Sequence, residues 1–172
     1  MALLLLMTAG CSTGAGSSAV TSTKITEPLP AGATPSPISV MVCSRKAAKV
    51  LDATTGEKAT VDEVTWVQHR YSCHFGYSTG SMVISVKELS SWAETIAYFD
   101  YLATAMGTSQ RIYGLGQGAF QATDGSVVVR KDWKVLLVDT SGLPAEFGVP
   151  LASSGNVALR VSYDIIGCWA GD

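Results

Sequence analysis

Charge is scarce in this chain. Only 15% of the 172 residues are charged and the formal net charge is -2. Lysine and arginine are scattered, with Arg130, Lys131 and Lys134 as the one cluster. A nucleic-acid binder carries a basic stripe or face, so nucleic acid is excluded as the partner. The small cluster reads as a solvated hairpin tip rather than an anion site. Histidine is scarcer still. His69 and His74 are the only two, and their odd spacing on a strand sends them to opposite faces, against a shared metal site. No apolar run approaches the roughly 18–20 residues that cross a bilayer; Leu3 to Met7 is far too short. The chain also lacks a Gly-x-Ser-x-Gly elbow. Gly114-Leu115-Gly116-Gln117-Gly118 has glycine spacing but no Lys-Ser/Thr behind it, and it leads into a strand. It therefore reads as a tight turn and not as a phosphate cradle. Asp100, Asp139 and Glu88 show no pairing of the kind acid–base catalysis uses. Neither an enzyme, a metal nor a cofactor is expected.

What is present begins with an address. The apolar run ends at Thr8-Ala9-Gly10-Cys11-Ser12. Small residues before a cysteine suit lipoprotein signal peptidase, and the thiol of Cys11 then carries diacylglycerol. A signal peptide opens with a positive segment, and only Met1-Ala2 precede the leucines, so the true start is expected upstream. Residues 1–11 are read as the remnant of that signal. Residues 12–39 are rich in Ser, Thr, Gly and Ala and hold four of the six prolines. Such a stretch buries too little apolar surface to offset its ordering entropy. It is expected to be a disordered tether that reaches on the order of 30 Å.

Residues 40–172 are expected to form one α+β domain. A helix is predicted over Ser44 to Ala53 with Ser44 as N-cap. Alternation from Thr65 to Tyr77 predicts one half-buried strand, with Val67, His69, Tyr71, Cys73, Phe75 and Tyr77 inward and Trp66 outward. A turn at Ser78-Thr79-Gly80 returns the chain through Met82, Ile84 and Val86. Ser91 and Glu94 form a capping box. Trp92, Ile96, Phe99, Ala103 and Met106 then trace one helical stripe facing a sheet, with Gly107 as a left-handed stop. Strands follow at Ala119 to Ala122, Ser126 to Arg130 and Trp133 to Asp139, the last apolar enough for a central, doubly covered position. The turn between the last two is placed at Lys131-Asp132. After a loop from Thr140 to Gly155, the residues Val157, Val161, Ile165 and Trp169 mark a final helix. The expected order is helix, two strands, helix, three strands, helix: an antiparallel sheet of about five strands packed on three helices.

With Cys11 lipidated, three cysteines remain, and an oxidising compartment favours a bridge. Cys43–Cys73 is the expected pair, because it would pin the first helix to the first strand. Closing a loop of about 30 residues contributes roughly 3–4 kcal/mol on the entropic account. Cys168 is then a buried thiol acting as a small hydrophobe, although a Cys168 bridge to either partner stays open. Several features together resemble the small actinobacterial lipoproteins whose globular domain is of unknown function. These are Cys43 leading a short helix, the Tyr71-Ser72-Cys73 strand, and Gly114 to Phe120 running into a hairpin. The resemblance covers about residues 40 to 169. It implies a cysteine pair, which Cys43 and Cys73 satisfy, an envelope location and the fold class, but no catalytic residues.

Trp66, Trp133 and Phe147 are the candidate contact surface, since exposed aromatics mark interfaces. The expected function is a binding or adaptor module on the outer face of the cytoplasmic membrane, acting on an envelope protein, a glycan or an apolar ligand. The alternatives are an envelope hydrolase using His69 or His74, and a purely structural envelope protein.

Overall fold

The computed structural model describes residues 28–169. Cys11, the signal remnant and most of the tether lie outside them. Four helices are present: α1 Pro37–Met41, α2 Arg45–Thr55, α3 Trp92–Ala105 and α4 Ser154–Cys168. The strands are β1 Thr60–Val67, β2 Arg70–Tyr77, β3 Gly80–Glu88, β4 Thr108–Ile112, β5 Gly118–Ala122, β6 Val127–Lys131 and β7 Lys134–Asp139, followed by the short pair β8 Glu146–Phe147 and β9 Ala152–Ser153. The first seven form one antiparallel sheet in the order β1-β2-β3-β7-β6-β5-β4. The α+β class holds, with seven strands in place of five and four helices in place of three.

Each difference has a local cause. The expected strand from Thr65 to Tyr77 is the meeting of β1 and β2 across a two-residue turn at Gln68-His69, both at positive φ (50° and 56°). Glycine or asparagine normally marks such a turn, so nothing in the composition announced it. The turn also inverts the expected facing. Trp66 pairs with Tyr71 and Val67 with Arg70, which puts Trp66 on the side of Tyr71 and Cys73. A second turn of the same kind, Asp132-Trp133 at φ 50° and 56°, replaces the turn expected at Lys131-Asp132. Strand β4 (Thr-Ser-Gln-Arg-Ile) is an almost wholly exposed edge strand, so it carries no hydrophobic alternation to read.

Strand β7 is the fourth of the seven, as its apolar run implied, and both faces of the sheet are covered. On one face Cys73, Phe75, Ile84, Val86, Leu136 and Val138 pack beneath α2 and α4, through Leu51, Val157, Val161 and Ile165. On the other, Phe120, Val128 and Val135 meet Phe99 and Leu102 of α3. The capping at Ser44 and Ser91 is as expected: each hydroxyl accepts a hydrogen bond from the backbone N–H three residues on, at 3.2 Å. Gly107 follows α3 at φ 69°, the left-handed stop.

The boundary expected near residue 40 falls inside packed structure. Ser36 N–H and Ser39 Oγ both donate to Glu88 Oε1, at 2.7 and 2.5 Å. Ala31 N–H donates to Leu89 O at 3.1 Å, and Ser39 is fully buried. A strap of residues 31–39 thus lies against the end of β3, held by a buried carboxylate. Composition could not show this, because the partner lies about fifty residues away.

Candidate functional site

A helix is about 10–12 Å wide, whereas seven strands about 4.8 Å apart span roughly 29 Å. Among the described residues α3 is the one helix on its face, so it must leave sheet without a helix over it on either side. On the β2–β3 side the sheet offers Ser72, His74 and Lys87, a polar surface. On the β5–β4 side it offers Phe120 and two arginines. Phe120 packs edge-on against Phe99 with ring centroids 5.1 Å apart. The space between α3 and the β4–β5 hairpin is a groove of about 490 Å³, walled by Ile96, Phe99 and Asp100 on the helix and by Arg111, Phe120 and Arg130 on the sheet.

The register places both arginines on this face. Arg111 lies opposite Phe120, and Phe120 opposite Val128. Arg130 lies opposite Gly118 and, on its other side, Val135. The guanidinium carbon of Arg130 sits 5.2 Å from the Trp92 ring centroid and 5.6 Å from that of Phe99. Both distances are within cation–π range. Gly118 makes this seat possible: a Cβ there would lie 2.7 Å from Arg130 Nε. Two other glycines of the same motif serve the chain path, Gly114 at φ 75° and Gly116 at φ 59°. The loop is tied down by Gln117, whose side chain accepts from Asp132 N–H at 2.9 Å.

Ion pairs among the described residues include His74–Asp62 and Lys131–Asp132. Neither Arg111 nor Arg130 is in one, and Asp100 pairs with neither. The groove therefore presents two uncompensated guanidinium groups beside an aromatic and aliphatic wall. Trp92 and Ile96 remain 40% and 42% exposed at its rim, and Tyr113 is 85% exposed. The expected stripe of α3 packs inward at Phe99, Ala103 and Met106. Thr95 and Leu102 are the buried positions, and Trp92 and Ile96 border the groove instead of the core.

The residues singled out from the sequence fall elsewhere. Cys43 and Cys73 form the expected disulfide, with Cα atoms 5.7 Å apart, and Cys168 lies outside it. Trp66 is half-buried beneath the strap, where its Nε1–H donates to Ala33 O at 3.0 Å. Trp133 is half-buried at its turn. Phe147, expected on a contact surface, is only 3% exposed and stacks edge-on against Tyr77 at 4.8 Å, because the loop after β7 folds back onto the core. His69 sits in the β1–β2 turn, and His74 Nδ1 lies 3.3 Å from Asp62 Oδ2 on the exposed sheet surface.

The basic cluster is no solvated tip. Arg130 lies on aromatic rings, Lys131 Nζ donates to Trp169 O, and Lys134 is 2% exposed, directly opposite Glu88. One signal pointed to the groove: a strand glycine facing an arginine across a hairpin, with a tryptophan at the start of the covering helix. Searched against protein-family models, curated proteins and solved structures, the chain matches none.

Proposed function

We propose that this chain is a lipid-anchored, extracytoplasmic binding module of a cell envelope, with the α3/β4–β5 groove as its ligand site. The carrying observation is Arg130, seated between two aromatic rings and Gly118 with no carboxylate partner. Holding a guanidinium in one place without satisfying it is a poor use of a charge for stability, since an exposed cation–π contact contributes only about 0.5–1 kcal/mol. For recognition it is well suited, because the donor fork is preorganised. The Cys43–Cys73 bridge supports an oxidising compartment. The Ala-Gly-Cys11 junction supports the anchor, and the likeness to actinobacterial lipoproteins is in keeping with both.

The experiment has two parts. Intact mass of the protein from host membranes should show acyl chains on Cys11, and Cys11→Ala should release the protein to the soluble fraction. Amide hydrogen exchange of β4, β5 and α3 should slow when an envelope extract is added, and Arg130→Gln should remove that protection. An unmodified Cys11 ends the anchored reading. Unchanged exchange ends the groove as a ligand site.

A hydrolase is a second reading with one feature behind it, the His74–Asp62 carboxylate–imidazole contact that orients a general base in triad enzymes. His74→Ala abolishing turnover of a small ester would establish it. No turnover by the wild type, or turnover untouched by the substitution, removes it.

A further inference from the structure

We propose that the α3/β4–β5 groove takes a small amphipathic anion: a carboxylate or phosphate head held by Arg130 and Arg111, with an apolar body lying along Ile96 and Phe99. This rests on the groove being the binding site and names the class of ligand. Three observations carry it. The first is charge. Two arginines and one aspartate line the space, and neither arginine is in an ion pair among the described residues. A planar guanidinium offers a fork of donors that matches carboxylate and phosphate oxygens in pairs.

The second is preorganisation. Arg130 lies over Gly118 on one side and against Trp92 and Phe99 on the other. Its rotamer is chosen before any ligand arrives, so little side-chain entropy is lost on binding. Trp92 is meanwhile left 40% exposed.

The third is the wall. An inorganic anion would need only the arginines, yet the helix side is apolar, with Ile96 42% exposed and the Phe99 ring standing over Phe120. At about 490 Å³ the space suits a small ligand, whose sites run roughly 300–1,000 Å³. Asp100, exposed on the same helix wall, would repel a second anionic end and so favours a ligand charged at one end only.

The test is calorimetric titration of the full chain carrying Cys11→Ala with hexyl phosphate, hexanoate, hexanol and inorganic phosphate. Hexyl phosphate and hexanoate should each bind about ten-fold or more tighter than hexanol, and tighter than inorganic phosphate, because only they use both halves of the groove. Arg130→Gln should weaken hexyl phosphate by about ten-fold or more, and Arg111→Gln by less.

Gly118→Ala guards against a trivial loss by misfolding. The three atoms nearest its new methyl group all belong to the far end of the Arg130 side chain, so it should displace the guanidinium and weaken binding while thermal unfolding stays near that of the wild type. Vesicles of phosphatidylglycerol, added as competitor, separate the sources. If they displace hexyl phosphate in an Arg130-dependent way, the head group is taken from a bilayer. If they do not, the ligand is a free molecule.

Hexanol binding as tightly as hexyl phosphate overturns the proposal. So does full binding by both Arg130→Gln and Gly118→Ala. If no probe binds while an envelope extract still protects the groove amides, the amphipathic-anion assignment falls and the binding reading stands. If the extract fails too, both fall.

Discussion

The two faces of the central sheet are closed by different means. One face is covered by α2 and α4 and by the strap with α1, with the disulfide stapling the chain just before α2 to β2. Its residues include Phe75, Ile84, Val86 and Leu136, all 0% exposed. The other face has α3 alone, and beside α3 the sheet surface turns to serine, histidine and lysine on one flank and to arginine and phenylalanine on the other. The first face holds most of the stabilising apolar burial. The second is covered just enough to fold, and it keeps a groove. That division predicts where substitutions act: on the stapled face they should change stability, and on the grooved face they should change binding.

The largest effect should come from the staple. Replacing Cys43 and Cys73 together by alanine removes a bridge closing a separation of 30 residues, which should cost about 3–4 kcal/mol in denaturant unfolding. A loss under about 1 kcal/mol would mean that the helices hold this face without it. The strap comes next. Glu88→Ala removes the acceptor of Ser36 N–H and Ser39 Oγ. The expected cost is about 2–3 kcal/mol, since buried donors lose their partner. Proteolysis should then cut within residues 31–39 before the domain unfolds. Cleavage there that is no faster than in the wild type would show the strap to be held by its apolar contacts.

Much of this division was legible in the sequence, and the unread part has a common cause. Both main helices of the stapled and grooved faces could be placed from their caps, because Ser44 and Ser91 act through bonds three residues long. The central position of β7 followed from its unbroken apolar run. The disulfide follows from Cys43 preceding the first helix and Cys73 alternating inward on the strand. What escaped depended on partners distant in sequence or on residues without the usual mark. The Gln68-His69 turn has no glycine, so β1 and β2 read as one strand and the alternation puts Trp66 on the wrong face. Edge strand β4 has no buried side to alternate. Arg130 looked like part of a charged tip until Gly118 and Trp92, from a neighbouring strand and a helix, were seen to hold it.

Smaller effects sharpen the comparison. Trp92→Ala on the grooved face removes one of the two rings that Arg130 lies against, from a side chain that is already 40% exposed. Stability should fall by about 1–2 kcal/mol, less than the roughly 3–5 kcal/mol lost when a core aromatic is truncated. Hexyl phosphate affinity should fall with it, because Arg130 loses part of its seat. A loss of several kcal/mol would place Trp92 in the core and erase the distinction between the faces.

Tyr77, on the stapled face, should show the smallest effect at neutral pH. Its hydroxyl is buried without a hydrogen-bond partner, since the nearby Thr55 hydroxyl donates to Leu51 O at 2.8 Å. Burial first, and then the charge of Asp52, push the phenol from its ordinary 10.0 up to about 12. The unfolded chain therefore loses this proton at lower pH than the folded one. The contribution is complete below pH 10 and is lost as the pH rises towards 12. Tyr77→Phe keeps the ring on Phe147 and removes the proton. Its stability should exceed the wild type's by about 1 kcal/mol at pH 7, because the unpartnered hydroxyl is gone, and the gap should widen above pH 10. Parallel alkaline unfolding curves for the two proteins would mean that the phenol reaches solvent, and that the stapled face is looser at this corner than its packing indicates.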